Sequence, residues 1–93
     1  MKNLTLISAI LICIAAQAQA ACYADYKAKQ DNPLRLHYGV AEMTGPCTQS
    51  AAQSDLTRRL AAQGWTLLNV VSVFGPEGLD QRKASAGSYY LRF

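Results

Sequence analysis

Histidine is scarce in this sequence. The 93 residues include one histidine, His37, and three cysteines. One histidine, with the two cysteines that follow residue 20 and are expected to pair with each other, does not supply a zinc site of the usual kind, so we expect no metal and no cofactor. The acidic residues show no paired spacing, and no nucleophile elbow or phosphate-binding loop is present. We therefore expect a protein that is not an enzyme, with a small enzyme that uses His37 as the alternative.

Charge is also sparse. Charged residues make up 16% of the chain, and the net charge is +3. The cations are scattered rather than clustered in a stripe, which argues against nucleic acid as a partner. After residue 20 no apolar run approaches the length that spans a bilayer, so we expect no transmembrane segment in residues 21–93.

The one long apolar run lies at the start of the chain. Leu4–Ala16 follows Lys2 and is too short to span a bilayer, and Ala18–Ala20 places small residues where signal peptidase requires them. This pattern predicts a signal peptide over residues 1–20, cleaved between Ala20 and Ala21. Residues 21–93 then form one small domain, located in the periplasm or in the extracellular medium.

Two other interpretations of this segment stay open. It would be a permanent N-terminal anchor if it were not cleaved. It would be a lipoprotein signal if Cys22 were the modified residue, although Gln19 stands where such signals carry leucine or another apolar residue.

Cleavage changes the cysteine inventory. Cys13 leaves with the signal, so Cys22 and Cys47 remain, and an oxidising compartment offers them one intramolecular pairing. Closing the loop between them stabilises a small domain by about 3.5 kcal/mol in the chain-entropy model. The alternative is a reactive thiol, but there is no Cys-x-x-Cys motif and no obvious activating neighbour.

The residue pattern after residue 20 predicts four elements and leaves two segments undecided. Residues 34–42 alternate as a strand, and Ser50–Gln63 reads as a helix with a capping box at Ser50 and Gln53. Gly64 suits the position after the helix, where Trp65 can fold back in a Schellman motif. Residues 21–32 fit a strand or a helical turn, and residues 79–87 are ambiguous.

The remaining pattern sets the expected topology. Trp65–Phe74 is apolar on both faces, which predicts a central strand, and Ser88–Phe93 predicts a closing strand after the Gly75–Gly78 turn. The expected fold class is α+β. It is a small β-α-β-β domain in which one helix packs on a three- to four-stranded mixed sheet with one disulfide.

The C-terminal half carries a resemblance. A helix ending in Gly64-Trp65, the Leu67–Val71 strand, a turn and the closing Tyr89–Leu91 stretch resemble small exported proteobacterial proteins with a domain of unknown function. The shared pattern is helix, GW-x-L strand and aromatic strand. It implies a fold, and no activity or binding residue comes with it.

One constellation predicts a binding surface. In the residues 34–42 strand, Leu34, Leu36, Tyr38 and Val40 alternate with Arg35 and His37, which we expect on the polar face. Tyr90 and Arg92 share the corresponding face of the last strand. The candidate patch is therefore Arg35, His37, Tyr90 and Arg92, facing an anionic or sugar-bearing ligand or a protein. The alternative is a solvated face of mixed residues.

These observations lead to two functional hypotheses besides the enzyme. The first is a non-catalytic binding or interaction domain, whose partner is a protein or another component of the cell envelope. The second is an envelope-associated inhibitor that inserts the Gly75–Gly78 turn into its target.

Overall fold

A computed structural model describes residues 21–93. The predicted signal peptide and its cleavage residue Ala20 lie outside the described residues, and Ala21 is the first residue within them. The elements in chain order are strand β1 Cys22–Gln30, strand β2 Arg35–Met43, helix α1 Gln49–Ala61, strand β3 Thr66–Phe74, a 3-10 turn Pro76–Gly78, helix α2 Asp80–Ala86 and a 3-10 turn Gly87–Tyr89.

The predicted class is confirmed: the domain is α+β, with a helix packed on a three-stranded sheet and a disulfide between Cys22 and Cys47. The order of its elements differs from the predicted β-α-β-β arrangement. The undecided segment at residues 21–32 forms a strand, and a short turn at residues 31–34 joins it to β2 as a hairpin. Because so short a connection permits only antiparallel pairing, β1 and β2 are antiparallel. Strand β3 also pairs antiparallel with β1, so the sheet is entirely antiparallel, in the order β2-β1-β3.

The central strand is β1, and β3 lies at an edge, so the predicted central position of Trp65–Phe74 is wrong. Two shifts of register in the pairing of β3 with β1 leave Leu68 and Val71 as extra residues at β-bulges. Both side chains are exposed, at 50% and 44%. The bulges therefore explain why β3 is apolar on both faces without being buried on both.

Strand β2 presents the opposite face to the core from the one predicted. Leu34 and Leu36 are exposed, whereas His37 and Gly39 are buried. The pairing register places Gly39 opposite Tyr26, whose ring occupies the space above it. A methyl group added at Gly39 would lie 2.5 Å from the Tyr26 hydroxyl oxygen. The absence of a side chain at Gly39 admits the tyrosine, and the alternation of the strand then carries His37 inward.

Helix α1 packs against the sheet through Ala52, Leu56 and Leu60, which are fully buried. Its N-cap is Thr48, whose hydroxyl accepts a hydrogen bond from the Ala51 amide, so the predicted cap at Ser50 is wrong by two residues. The Schellman motif predicted after the helix is present, although the helix itself ends at Ala61 rather than Gln63. Gly64 has φ +84°, and the Trp65 amide donates to the Leu60 carbonyl over 2.9 Å.

Helix α2 lies on the other face of the sheet, which we call the open face. Residues 87–93 follow it and form a segment that we call the strap. The predicted closing strand is reduced to one parallel bridge between Val40 and Tyr90, with the Leu91 amide donating to the Val40 carbonyl over 2.8 Å. The strap runs along the outer edge of β2 to the face covered by α1, where Tyr89 and Phe93 pack against the core. Within residues 21–93, neither helix has the length and apolarity needed to cross a bilayer.

Candidate functional site

The only histidine lies in an aromatic cluster beneath the strap. Its members are Tyr26 of β1, His37 of β2, Trp65 after α1, and Tyr89 and Phe93 of the strap. His37 is 7% exposed. We call this group the histidine cluster.

Rings surround the imidazole on several sides. Tyr89 stacks on it with ring centroids 3.8 Å apart, and Trp65 meets it edge-on at 4.3 Å. The Tyr26 hydroxyl shares a hydrogen bond of 3.0 Å with Nε2, while Nδ1 is buried without a partner. Buried polar atoms are normally paired, so this nitrogen marks an unfavourable feature of the fold.

The ionisation of the cluster follows from its burial. Burial lowers the pKa of His37 to about 4, and the positive charge of Arg92 acts in the same direction. Burial also raises the pKa of Tyr26 to about 12. At neutral pH both groups are therefore uncharged. Neither pKa lies near neutral pH, where a general acid or base is most effective.

The Arg92 guanidinium lies over the Tyr89 and Phe93 rings at 5.4 and 5.6 Å from their centroids. It lines an open groove of about 420 Å³ together with Arg59 and the end of α1. Arg59 is engaged, since it donates to Asp55, to the Glu42 carbonyl and to the main-chain oxygen of Phe93. This groove is therefore bordered by Arg59, which is hydrogen-bonded within the domain, and by Arg92, which lies over aromatic rings.

A second buried polar group lies on the open face. Asp25 is 4% exposed and receives three hydrogen bonds: from Ser72 at 2.6 Å, from Tyr38 at 2.7 Å and from Arg82 at 3.0 Å. The pairing register explains why the three donors meet. Ser72 is the partner of Asp25 on β3, and Tyr38 lies two residues before its partner Val40 on β2. Arg82 of α2 reaches Asp25 from above the sheet. We call this group the aspartate network.

The network holds Asp25 as a carboxylate. Burial on its own would raise the pKa of Asp25, but the hydrogen bonds from Ser72, Tyr38 and Arg82, with the charge of Arg82, outweigh burial and lower it. Burial raises the pKa of Tyr38 to about 12, and its hydrogen bond to Asp25 adds to the effect. All three donors are directed at the carboxylate, so the arrangement joins α2 to the sheet rather than presenting a reactive group.

The rest of the open face is exposed. Leu36 is 66% exposed and Leu68 is 50% exposed. They border a mostly apolar cavity of about 260 Å³, which is also lined by Lys27, Ala28, His37 and Tyr38. We call Lys27, Leu36, Tyr38 and Leu68 the leucine patch. Apolar side chains clustered in this way on a surface are typical of an interaction site.

The structure does not bring the four predicted patch residues onto one exposed sheet face. Arg35 is exposed at the start of β2, but His37 is buried within the histidine cluster. Tyr90 forms the bridge at the edge of β2, and Arg92 lies over the strap rings. The prediction depended on Leu36 facing the core, and the Tyr26–Gly39 contact reverses that orientation.

The predicted inhibitory turn is braced by the domain itself. Arg82 donates to the Gly78 carbonyl over 2.7 Å, and its guanidinium lies 3.9 Å from the centroid of the Phe74 ring. Within residues 21–93, no cluster of three or more histidine, cysteine, aspartate or glutamate residues is placed to hold a metal ion.

The sequence pattern missed Asp25 and Leu68. In residues 22–27 the polar and tyrosine residues Tyr23, Asp25 and Lys27 alternate with Cys22, Ala24 and Tyr26, and this alternation is a signal for a strand. Nothing in the local pattern marks the bulge that exposes Leu68.

Comparison with known proteins adds no assignment. No family model matches the chain, and no match was found among curated proteins or among solved structures. The resemblance to small exported proteobacterial proteins stays a prediction.

Proposed function

We propose that this protein is an exported, non-catalytic binding module of the periplasm or the extracellular medium, which docks a protein partner through the leucine patch. The observation that carries the proposal is the exposure of Leu36 and Leu68 beside one apolar cavity on the open face. Leaving large apolar side chains in water forgoes stabilisation of about 1.5–3 kcal/mol each. A partner that covers them recovers part of this free energy, because both leucines are already partly buried in the domain.

The arrangement of the open face supports this site. Helix α2 and the aspartate network cover the part of the sheet near Asp25, while the part near Lys27 has no cover from residues 21–93. The cavity lies above the central strand β1 and between side chains of β2 and β3, so it offers an open, concave surface to an apolar side chain of a partner. Partners often anchor in such pockets through a few apolar residues.

Charge indicates the chemistry of the partner. Lys27 borders the cavity, and Lys29 follows two residues later on the same face of β1, where it pairs with Asp31 at 3.4 Å. No carboxylate lines the cavity. We therefore commit to a protein segment that inserts apolar side chains and carries carboxylates beside them, since an opposite charge steers association and selects the partner.

Other features fit a binding role better than a catalytic one. His37 and Asp25 are the buried polar residues among those described, and both are enclosed by the domain's own side chains. The Cys22–Cys47 disulfide is consistent with export, because disulfides persist in oxidising compartments.

Binding of matched peptides tests the proposal. Two amphipathic peptides with the same leucines, one flanked by glutamates and the other by lysines, are titrated into isotope-labelled mature protein. We expect the acidic peptide to shift the amide resonances of Lys27, Leu36 and Leu68 and the basic peptide to bind at least tenfold more weakly. Equal binding of both peptides contradicts the proposed partner chemistry.

Matched variants locate the surface. Leu36→Ser and Lys27→Glu should weaken binding of the acidic peptide, whereas Leu91→Ser removes an exposed leucine outside the patch and should not. If Leu36→Ser binds as the parent does, the patch is not the docking surface. Concentration-dependent dimerisation that Leu36→Ser abolishes would place a second copy on the patch instead.

A further inference from the structure

We propose that the strap, residues 87–93, is an acid-released cover, which leaves the outer edge of β2 when His37 becomes protonated. The inference concerns the strap and the rings of the histidine cluster on the face covered by α1, and it does not depend on the partner proposed above. It depends on three observations: how the strap is held, what faces the imidazole, and what the strap covers.

The strap is held in part through the histidine. Tyr89 stacks on His37 at 3.8 Å, and Phe93 lies 5.7 Å from it in a near-parallel orientation. Its other attachments include the contact of Tyr89 with Trp65 at 5.8 Å, the Leu91 amide on the Val40 carbonyl and the Arg59 guanidinium on the main-chain oxygen of Phe93. The strap contains no long helix or strand of its own, so loss of the stacking removes much of what keeps it in place.

No group that faces the imidazole stabilises a positive charge by ion pairing. From β1 it meets the Tyr26 hydroxyl, and from the residues after α1 it meets the Trp65 ring. From the strap it meets the Tyr89 and Phe93 rings, and Arg92 lies over both of these rings.

The wider surroundings are cationic as well. Arg59 of α1 reaches the strap at Phe93, and Arg35 lies two residues away on β2 itself. Asp25 projects from the other face of the sheet, where its carboxylate accepts hydrogen bonds from Ser72, Tyr38 and Arg82. An imidazolium inside the cluster therefore has Arg92 near it, and within residues 21–93 no carboxylate side chain pairs with it.

Exposure to water relieves this charge, and opening the strap supplies that exposure. Protonation therefore favours the open state, in which the imidazolium is hydrated and has its ordinary affinity for protons. The unpaired Nδ1 adds to the effect, because it gains a hydrogen bond to water only when the cluster opens.

Release of the strap uncovers a strand edge. When Leu91 and Tyr90 move away, the Val40 carbonyl loses its hydrogen-bond partner on that side and the strap no longer lies against the edge of β2. An exposed strand edge is a template for pairing with an extended segment of another chain. Acid thus converts a covered edge into one that is competent for strand addition.

Hydrogen exchange at one amide tests the release directly. The Leu91 amide reports the strap, and the amides of the central strand β1 report the whole domain. Rates are measured on the mature, disulfide-bonded protein between pH 6.5 and 4 and referred to unprotected peptide rates. We expect Leu91 to be less protected than the β1 amides at every pH, because a local opening exposes it, and its protection to fall by up to about tenfold for each unit by which the pH is lowered. Constant protection of Leu91, or protection equal to that of the β1 amides, overturns the proposal.

Fluorescence supplies an independent readout, since Trp65 is the only tryptophan and contacts His37. Its emission should change over the same pH interval as the protection of Leu91. In His37→Phe, which keeps an aromatic ring without a titrating group, both signals should be independent of pH across that interval. Persistence of either transition in this variant contradicts a role for His37.

A milder pair of variants keeps the test decisive if His37→Phe does not fold. Arg92→Gln removes the cation nearest the imidazole, so His37 should titrate at higher pH and the loss of Leu91 protection should be smaller. Arg58→Gln removes an exposed arginine of α1 that pairs with Asp55, and its profile should match that of the parent. Identical profiles for Arg92→Gln and the parent would show that the strap does not respond to charge at His37.

Discussion

The aspartate network and the histidine cluster bury one polar side chain each, and they do so in opposite ways. Asp25 is surrounded by donors, and every one of its contacts favours the charged form. His37 is surrounded by rings, keeps one unpaired nitrogen and is held uncharged. Burial of a polar group is tolerated when it is hydrogen-bonded and is costly otherwise. The first site should therefore stabilise the fold at all ordinary pH values, and the second should make it sensitive to acid.

Removing the carboxylate should have the largest effect. Asp25→Ala leaves the donors of Ser72, Tyr38 and Arg82 without their acceptor in a buried setting, so we expect the free energy of unfolding to fall by about 4 kcal/mol. Urea denaturation measures the change. Asp55→Ala is the matched control, since Asp55 pairs with arginines at the surface of α1 and its loss should cost less than about 1 kcal/mol. Equal losses in the two variants would remove the distinction between a donor-filled site and an ordinary surface ion pair.

Acid should destabilise the parent protein through His37 before it affects Asp25. The pKa of His37 falls from 6.5 to about 4 on folding, so the unfolded chain binds the proton more tightly. The stability that this provides is complete above pH 6.5 and is lost as the pH falls to 4, by a total of about 3 kcal/mol.

Asp25 has a lowered pKa, so its contribution declines only when the pH falls below the ordinary value of 3.8. Denaturant titrations at pH 7, 5.5 and 4 should show the loss in the parent and a flat profile in His37→Phe. A parent profile without a slope between pH 6.5 and 4 would mean that the imidazole is not held uncharged.

The smallest effect is expected at the single hydrogen bond that the histidine makes. Tyr26→Phe deletes the hydroxyl that contacts Nε2 and leaves the ring in place, so the unfolding free energy should fall by about 1 kcal/mol. Tyr38→Phe deletes a hydroxyl bonded to the Asp25 carboxylate and should cost more, about 2 kcal/mol, because hydrogen bonds to charged groups are stronger. The reverse order would contradict the contrast between the two sites.

The parts of the fold that sequence reasoning predicted correctly depend on neighbours along the chain or on simple inventory. The stop of α1 is an example, because Gly64 adopts its positive φ and Trp65 returns to Leu60 within one turn. The disulfide is another, since Cys22 and Cys47 have no other partner within residues 21–93. The α+β class follows from the mixture of helical and strand periodicity.

The parts that were wrong depend on contacts between distant segments. Alternation in β2 is compatible with either face being buried, and a slip of one residue exchanges them. The pairing of Tyr26 with Gly39 decides which face of β2 is buried, because the Tyr26 ring fits in the space that a side chain at position 39 would fill. The same pairing turns His37 from a predicted surface ligand into a core residue. The bulges at Leu68 and Val71 likewise belong to the pairing of β3 with β1.

By itself, the sequence determined the class of the domain, its disulfide, the helix end at Gly64 and the scarcity of chemistry-bearing groups, because these follow from local conformation and composition. The tertiary structure alone decided which face of β2 is buried, which donors gather on Asp25 and which leucines remain in water. These outcomes depend on the register between strands that are far apart in the chain. Register is selected by the packing of the whole core, and no single segment of the sequence contains it.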